Sequence, residues 1–179
     1  RKGSDGDILS FRKAGTDVGH IGVNGSTMYL NFGGTNAAAH QLDDYEEGTY
    51  SPYIQTDNGV NAGASSAAGT YIKIGRLVYV TVSINVNSFN SVNTSAFIRL
   101  YLPFTAANQS GYGTEGNMYC SMWSIGSSSI SWMGGEVQNG FNFVYIHYHN
   151  GNNNNTNTMT GANANGQIQF RSTVMYRVP

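Results

Sequence analysis

Leu77-Val78-Tyr79-Val80-Thr81-Val82-Ser83-Ile84-Asn85-Val86-Asn87 alternates without a break: Val78, Val80, Val82, Ile84 and Val86 fall on one side, Tyr79, Thr81, Ser83 and Asn85 on the other. A side-chain period of two, with one face apolar and the other polar, suits a strand lying between a core and water. Antiparallel sheets present such faces, so the stretch predicts a half-buried antiparallel strand. Upstream, Thr70-Tyr71-Ile72-Lys73-Ile74 meets it through Gly75-Arg76, a strand-turn-strand signal, and residues 57–69 read as a loop by composition. Downstream, after a polar turn at 89–94, Ala96, Ile98, Leu100, Leu102 and Phe104 form the next apolar face. Pro103 sits near its end, where a lost ladder donor is tolerable.

Residues 105–117 form a Gly-containing loop, after which alternation returns. Met118, Cys120 and Met122 share one face, which leaves Tyr119, Ser121, Trp123 and Ile125 on the opposite one. Ile130 and Trp132 pair on a face that we assign to the core. In Phe141-Asn142-Phe143-Val144-Tyr145-Ile146-His147-Tyr148-His149 both faces carry bulk. Val144, Ile146 and Tyr148 are expected inward, and Phe143, Tyr145, His147 and His149 toward a neighbour or a ligand. A long polar loop at 150–165 precedes Ile168, Phe170, Val174, Tyr176 and Val178, which alternate to the terminus. No 3.6-residue periodicity is sustained long enough to support a helix. Roughly six to eight strands separated by Gly, Asn and Ser turns predict an all-β chain with a jelly-roll-like β-sandwich.

The first part of the chain has a different texture. Ile8-Leu9-Ser10-Phe11-Arg12-Lys13, Val18-Gly19-His20-Ile21-Gly22-Val23 and Met28-Tyr29-Leu30-Asn31-Phe32 are joined by Ala14-Gly15-Thr16-Asp17 and Asn24-Gly25-Ser26-Thr27. Asn-Gly between alternating apolar runs is a strong hairpin signal. Three short strands bury too little to stand alone, so partners are expected. Between the hairpins and the long strands lies Gln41-Leu42-Asp43-Asp44-Tyr45-Glu46-Glu47-Gly48-Thr49-Tyr50-Ser51-Pro52-Tyr53-Ile54, which holds four of the ten acidic residues. We divide the chain accordingly into a stem at 1–40, an acidic collar at 41–53 and a head at 54–179.

Composition narrows the function. Charged residues are 11 % of the chain, against about 25 % in an average soluble domain. A formal net charge of -1 supplies no basic field for nucleic acid or an anionic membrane surface. No stretch approaches the roughly 18 consecutive apolar residues of a membrane helix, so membrane insertion is not expected. The single cysteine, Cys120, permits no intrachain disulfide and reads as a buried small hydrophobe. Arg1-Lys2-Gly3-Ser4 opens the chain without methionine or a visible signal peptide, and a fragment of a longer protein is expected.

Asp5-Gly6-Asp7-Ile8-Leu9-Ser10-Phe11-Arg12-Lys13-Ala14-Gly15-Thr16-Asp17-Val18-Gly19-His20-Ile21-Gly22 resembles a repeat of tail-fibre and structural proteins of tailed bacteriophages. Leu42-Asp43-Asp44-Tyr45-Glu46-Glu47-Gly48-Thr49-Tyr50-Ser51-Pro52, followed by Tyr71-Ile72-Lys73-Ile74-Gly75-Arg76-Leu77-Val78-Tyr79-Val80, resembles the opening of the C-terminal head module in the same proteins. The resemblance covers the first half of the chain well and the second half only as a pattern of strands. It implies an intertwined homotrimeric fibre, carried on the virion and assembled in the host cytoplasm. Its distal β-domain would contact a host cell-surface glycan, a polysaccharide or lipopolysaccharide. A polysaccharide depolymerase head and a purely structural trimerisation module are the alternatives.

Catalytic residues are not expected. Asp43, Asp44, Glu46 and Glu47 are crowded at a joint, whereas glycoside hydrolysis needs two carboxyls facing each other across a substrate. They read as solvated acids that pair with a neighbouring chain's cations or occupy turns. Asp57, Glu115 and Glu136, the remaining acids of the head, are not paired by sequence. Aromatics off the core face hold sugars by stacking, and Tyr112, Tyr119, Trp123 and Tyr145 are the ligand-binding candidates, with amides from residues 150–157. Trimer packing is the competing use of the same rings. His147-Tyr148-His149 places two imidazoles on one strand face. Three chains around an axis would bring six together, enough for an octahedral transition metal, and the tripeptide resembles the His-x-His of needle-like phage fibre tips. The other reading of His147 and His149 is hydrogen-bonded histidines at an interface or in a sugar-facing groove. No further cofactor is expected. His20 and His40 are expected at the surface or an interface.

Overall fold

The computed structural model describes residues 5–34, 41–42, 44–88, 95–111, 113–125, 130–151, 155–164 and 167–179. Its strands, in chain order, are β1 (Gly6–Lys13), β2 (Thr16–Asn24), β3 (Thr27–Asn31), β4 (Gln41–Leu42), β5 (Tyr45–Tyr50), β6 (Ile54–Thr56), β7 (Gly63–Ile74), β8 (Leu77–Ser88), β9 (Ile98–Tyr101), β10 (Thr114–Ile125), β11 (Ile130–Gln138), β12 (Phe143–Asn150), β13 (Asn157–Thr158) and β14 (Ile168–Arg177). One helical turn, α1 (Gly161–Ala164), interrupts the segment expected to be loop. The chain divides into two compact units, Arg1–Glu46 with Lys73–Gly75 and Glu47–Ile72 with Arg76–Pro179.

In the first unit β1 to β4 form an antiparallel sheet in sequence order. The β1–β2 turn is Ala14-Gly15, both residues at positive φ (49° and 83°), the twist that joins hairpin strands tightly. The usual burial is inverted. Ile8, Met28 and Phe32 are each about two-thirds exposed, and Leu9, Phe11 and Val18 are exposed as well. Tyr29, His20 and Asn31 are buried instead. Asp7 ties this polar interior together: its Oδ1 accepts from the Tyr29 hydroxyl at 2.9 Å and its Oδ2 lies 3.0 Å from His20 Nδ1. His20, expected at the surface or an interface, is buried within its own chain, because this sheet offers Ser10 and Asp7 to receive it. His40 and Asp43 fall outside the described residues. Asp44 forms an ion pair with Lys73 of its own chain, where the sequence suggested a neighbour's cation.

The second unit is built on one antiparallel sheet, ordered β5-β7-β8-β14-β10-β11-β12-β9-β6 with β13 beside β12, which curls into a sandwich-like fold. The register turns the alternating sequence into cross-strand rows. Val78, Tyr176, Gly116, Val137, Val144, Leu100 and Ile54 lie opposite one another in turn across seven strands, and the six with side chains are at most 1 % exposed. The next inner rows run Val80–Val174–Met118 and Ile84–Phe170–Trp123. These rows form a single core to which Met133, Ile146 and Met159 also belong. Residues 63–69, expected as loop, are the first part of β7, which stands between β5 and β8 in the sheet order. Gly69 is required there: a Cβ would stand 2.2 Å from the Tyr50 ring.

Two register shifts redirect both tryptophans. The β10–β14 ladder slips between Cys120 and Met122, and the β11–β12 ladder slips between Ile130 and Trp132. One extra residue in a period-two strand moves every following side chain to the other face. Trp123 therefore points inward, opposite Phe170 and packed against the core, while Met122 turns outward. Trp132, assigned from the sequence to the core, is 40 % exposed, while Ile130 packs against the core. Trp123→Ala should accordingly cost about 3 kcal/mol of stability and Trp132→Ala under about 1 kcal/mol. Urea unfolding of the two variants checks this, and equal losses would contradict the swap.

Burial also gives the core an alkaline limit. It pushes the Cys120 thiol from its ordinary 9.0 up to about 12, and it raises the Tyr50 and Tyr176 phenols above their ordinary value of 10.0, Tyr50 with a further contribution from Tyr176. Cys120 is therefore a protonated core side chain at neutral pH. These groups ionise in the unfolded chain before they ionise in the folded one. Stability is therefore full below about pH 9 and falls above it, each group costing about 1.4 kcal/mol per pH unit between its two pKa values. Thermal melts from pH 7 to 11 should show a plateau and then a fall; a flat profile to pH 11 would contradict the assignment.

Candidate functional site

The outer face of β6, β9, β12 and β11 carries an aromatic and polar cluster assembled by register. Tyr145 is the centre. It lies opposite Glu136 of β11 on one side and Arg99 of β9 on the other, and Arg99 lies opposite Gln55 of β6. A carboxylate, a phenol, a guanidinium and an amide thus stand in a row, one per strand, spaced about 4.8 Å apart. Arg99 Nη2 donates to the Tyr145 hydroxyl at 2.8 Å, and the guanidinium carbon lies 4.5 Å from the Phe143 ring centre and 5.1 Å from that of Tyr145. This is cation–π geometry with both rings. Among the described residues, Arg99 Nε is buried with no hydrogen-bond partner.

The neighbouring rows extend the surface. Tyr101 lies opposite Phe143 and stacks on Tyr53, with ring centres 4.4 Å apart and planes 11° from parallel. Its hydroxyl donates to Gln55 Oε1 at 2.8 Å, and Gln55 Nε2 donates to Asn61 Oδ1 at 3.0 Å. Burial, and then the nearby Tyr101, raise the Tyr53 phenol above its ordinary value. Phe143 is only 6 % exposed despite facing outward, because Arg99, Tyr101, Phe141 and Tyr145 surround it. It is the anchor of the cluster, with Phe97, Phe141 and Tyr53 as its exposed rim.

On the other side of Tyr145, the row Tyr119–Gly134–His147–Thr158 crosses β10 to β13. Gly134 makes room for Trp132, since a Cβ there would stand 2.5 Å from the indole. The indole also meets His149 edge-on, with ring centres 5.1 Å apart. His147 Nδ1 lies 3.2 Å from Thr158 Oγ1, and its Nε2 lies 3.6 Å from Glu136 Oε1. His149 Nε2 lies 3.0 Å from Thr156 Oγ1. Both imidazoles are thus held by threonine hydroxyls. Among the described residues no three His, Cys, Asp or Glu side chains of one chain come together as a metal cluster.

Of the candidates from sequence, Tyr119, Tyr145, His147 and His149 share this outer face. Trp123 leaves it for the core, and Tyr112 lies outside the described residues. Trp132, Arg99, Tyr101, Tyr53, Phe97, Gln55 and Glu136 were missed as members. Alternation alone could have placed Arg99 and Tyr101 on the face opposite Ile98 and Leu100; their adjacency to Tyr145 needed the β9–β12 pairing.

Two acid-containing groups elsewhere have structural geometry. Glu115, its side chain fully buried, receives Arg177 Nη2 at 2.9 Å. Ser10, His20 and Asp7 have the composition of a catalytic triad, but Ser10 Oγ and Asp7 Oδ2 both approach His20 Nδ1, at 3.2 and 3.0 Å. A relay needs them on opposite ring nitrogens. Compared with known proteins, the chain matches no family model, no curated protein and no solved structure.

Proposed function

We propose that this chain is the distal, receptor-binding end of a tailed-bacteriophage tail fibre, carried on the virion, which attaches it to a glycan of the host cell surface without cleaving it. The observation that carries this reading is the outer-face cluster around Tyr145. Exposed rings at several heights offer stacking surfaces for the C–H faces of sugars, and Glu136, Gln55, Asn61, His147 and Thr158 offer acceptors and donors for hydroxyl groups. The fixed ring geometry, with Phe143 as anchor, keeps the ordering cost of binding low. The phage assignment itself draws on the resemblance of residues 5–22 and 42–80.

The homotrimer belongs to the same proposal. Its support is the first unit, whose exposed Ile8, Phe11, Met28 and Phe32 have no core of their own and match what an obligate interface buries. Three copies of a weak site on one assembly multiply a modest affinity. His147 and His149 are read as ligand-facing, hydrogen-bonded imidazoles, since each already has a threonine partner.

An array of immobilised bacterial lipopolysaccharides and capsular polysaccharides should retain the protein. Trp132→Ala and Tyr145→Ala should each weaken retention at least about tenfold, about 1.4 kcal/mol, with folding unchanged. Failure to bind any member, or binding indifferent to both variants, would overturn the site. Sustained release of new reducing ends would replace attachment by depolymerisation. In sedimentation equilibrium the mass should be three times the 19.3 kDa of one chain; a stable folded monomer would remove the trimer.

A further inference from the structure

Beside Tyr145 the cluster opens into a groove of about 270 Å³ lined by Phe97, Glu136, Gln138, Tyr145, His147 and Thr158. The volume lies just under the roughly 300 Å³ at which drug-sized pockets begin, which suits one sugar ring. Phe97 and Tyr145 meet nearly at right angles, 80° with centres 6.1 Å apart, so one wall presents a ring face and the other an edge. Opposite them is a held carboxylate. Gln138 Nε2 donates to Glu136 Oε1 at 3.1 Å, and His147 Nε2 stands 3.6 Å from the same oxygen. Glu136 Oε2 makes no hydrogen bond among the described residues, and the side chain is 40 % exposed. The guanidinium of Arg99 does not line the groove; it is drawn back over Phe143 and Tyr145.

From this geometry we infer that the groove selects an uncharged sugar presenting two adjacent hydroxyl groups, and that Glu136 rejects acidic sugars. An ionised carboxylate only accepts hydrogen bonds. Two neighbouring hydroxyls can donate to it, while the apolar face of the same ring lies on Tyr145. A uronate, sialate or phosphorylated sugar would bring a second negative charge against Glu136 in a partly desolvated groove, a repulsion that discriminates as effectively as any attraction. Gln138 holds one oxygen of the carboxylate by a hydrogen bond, and His147 stands beside the same oxygen. The inference rests on the carbohydrate reading above and adds the class of sugar.

The test uses the trimeric protein and bacterial polysaccharides that contain uronic acid, each immobilised as isolated and after carboxyl reduction, which turns the uronic acids into neutral hexoses. Native protein should bind at least one reduced form about tenfold more tightly than its acidic parent. Glu136→Gln should reduce that ratio to near one, and Glu136→Asp, which keeps the charge, should preserve a preference for the reduced form. Equal or tighter binding of the acidic parents by native protein, or an unchanged ratio in Glu136→Gln, would overturn the inference while leaving glycan attachment standing. Binding of neither form of any polysaccharide would remove the carbohydrate reading and the inference together.

Discussion

The register of β10 and β11 against their neighbours is the constraint on which the second unit depends. Strand side chains alternate with a period of two, so a slip of one residue exchanges inside and outside for all that follows. Pairing with β14 sets Met118 and Cys120 inward beside Val174 and Ser172, and the slip after Cys120 then brings Trp123 in beside Phe170. The slip after Ile130 sends Trp132 out toward His149. One indole completes the core and the other joins the outer cluster. The placement of the two indoles is therefore set by these two irregularities.

The inner and outer faces of the curled sheet solve different problems with the same strands. Inside, rows such as Val78–Tyr176–Gly116–Val137–Val144–Leu100–Ile54 exclude water. Outside, Glu136–Tyr145–Arg99–Gln55 places four different chemistries in line. Tyr176 fastens a loop to the core, its hydroxyl donating to the Phe104 carbonyl at 3.2 Å. The first unit follows another rule. Its small sheet buries His20 and Tyr29 beside the half-buried Asp7 and exposes its aliphatics.

Much of this was legible in the sequence. The run from Leu77 to Asn87 specified β8 and its buried face, the Asn-Gly and Ala-Gly hairpins specified β1 to β3, and the alternation from Val144 to His149 separated inward from outward side chains. Three things were not legible. Bulges at Ser121 and Ser131 leave no mark on local composition, so both tryptophans were placed on the wrong face. Residues 63–69 carry poor strand formers, and nothing in their own composition marks them as the first part of β7. The site itself is non-local: Gln55, Arg99 and the Glu136–Tyr145 pair are separated by dozens of residues and meet only because β6, β9, β12 and β11 are neighbours.

The proposed site holds ligand on the outer face of these strands, beside Trp132 and away from Trp123. Tryptophan fluorescence during titration with a polysaccharide that the protein retains measures this directly, using Trp123→Phe and Trp132→Phe to leave one indole each. The account predicts a saturable change in emission and protection from acrylamide quenching in Trp123→Phe, where Trp132 is the reporter, and none in Trp132→Phe. A response carried by Trp123 alone, or saturation with Trp132 unaffected, would contradict it.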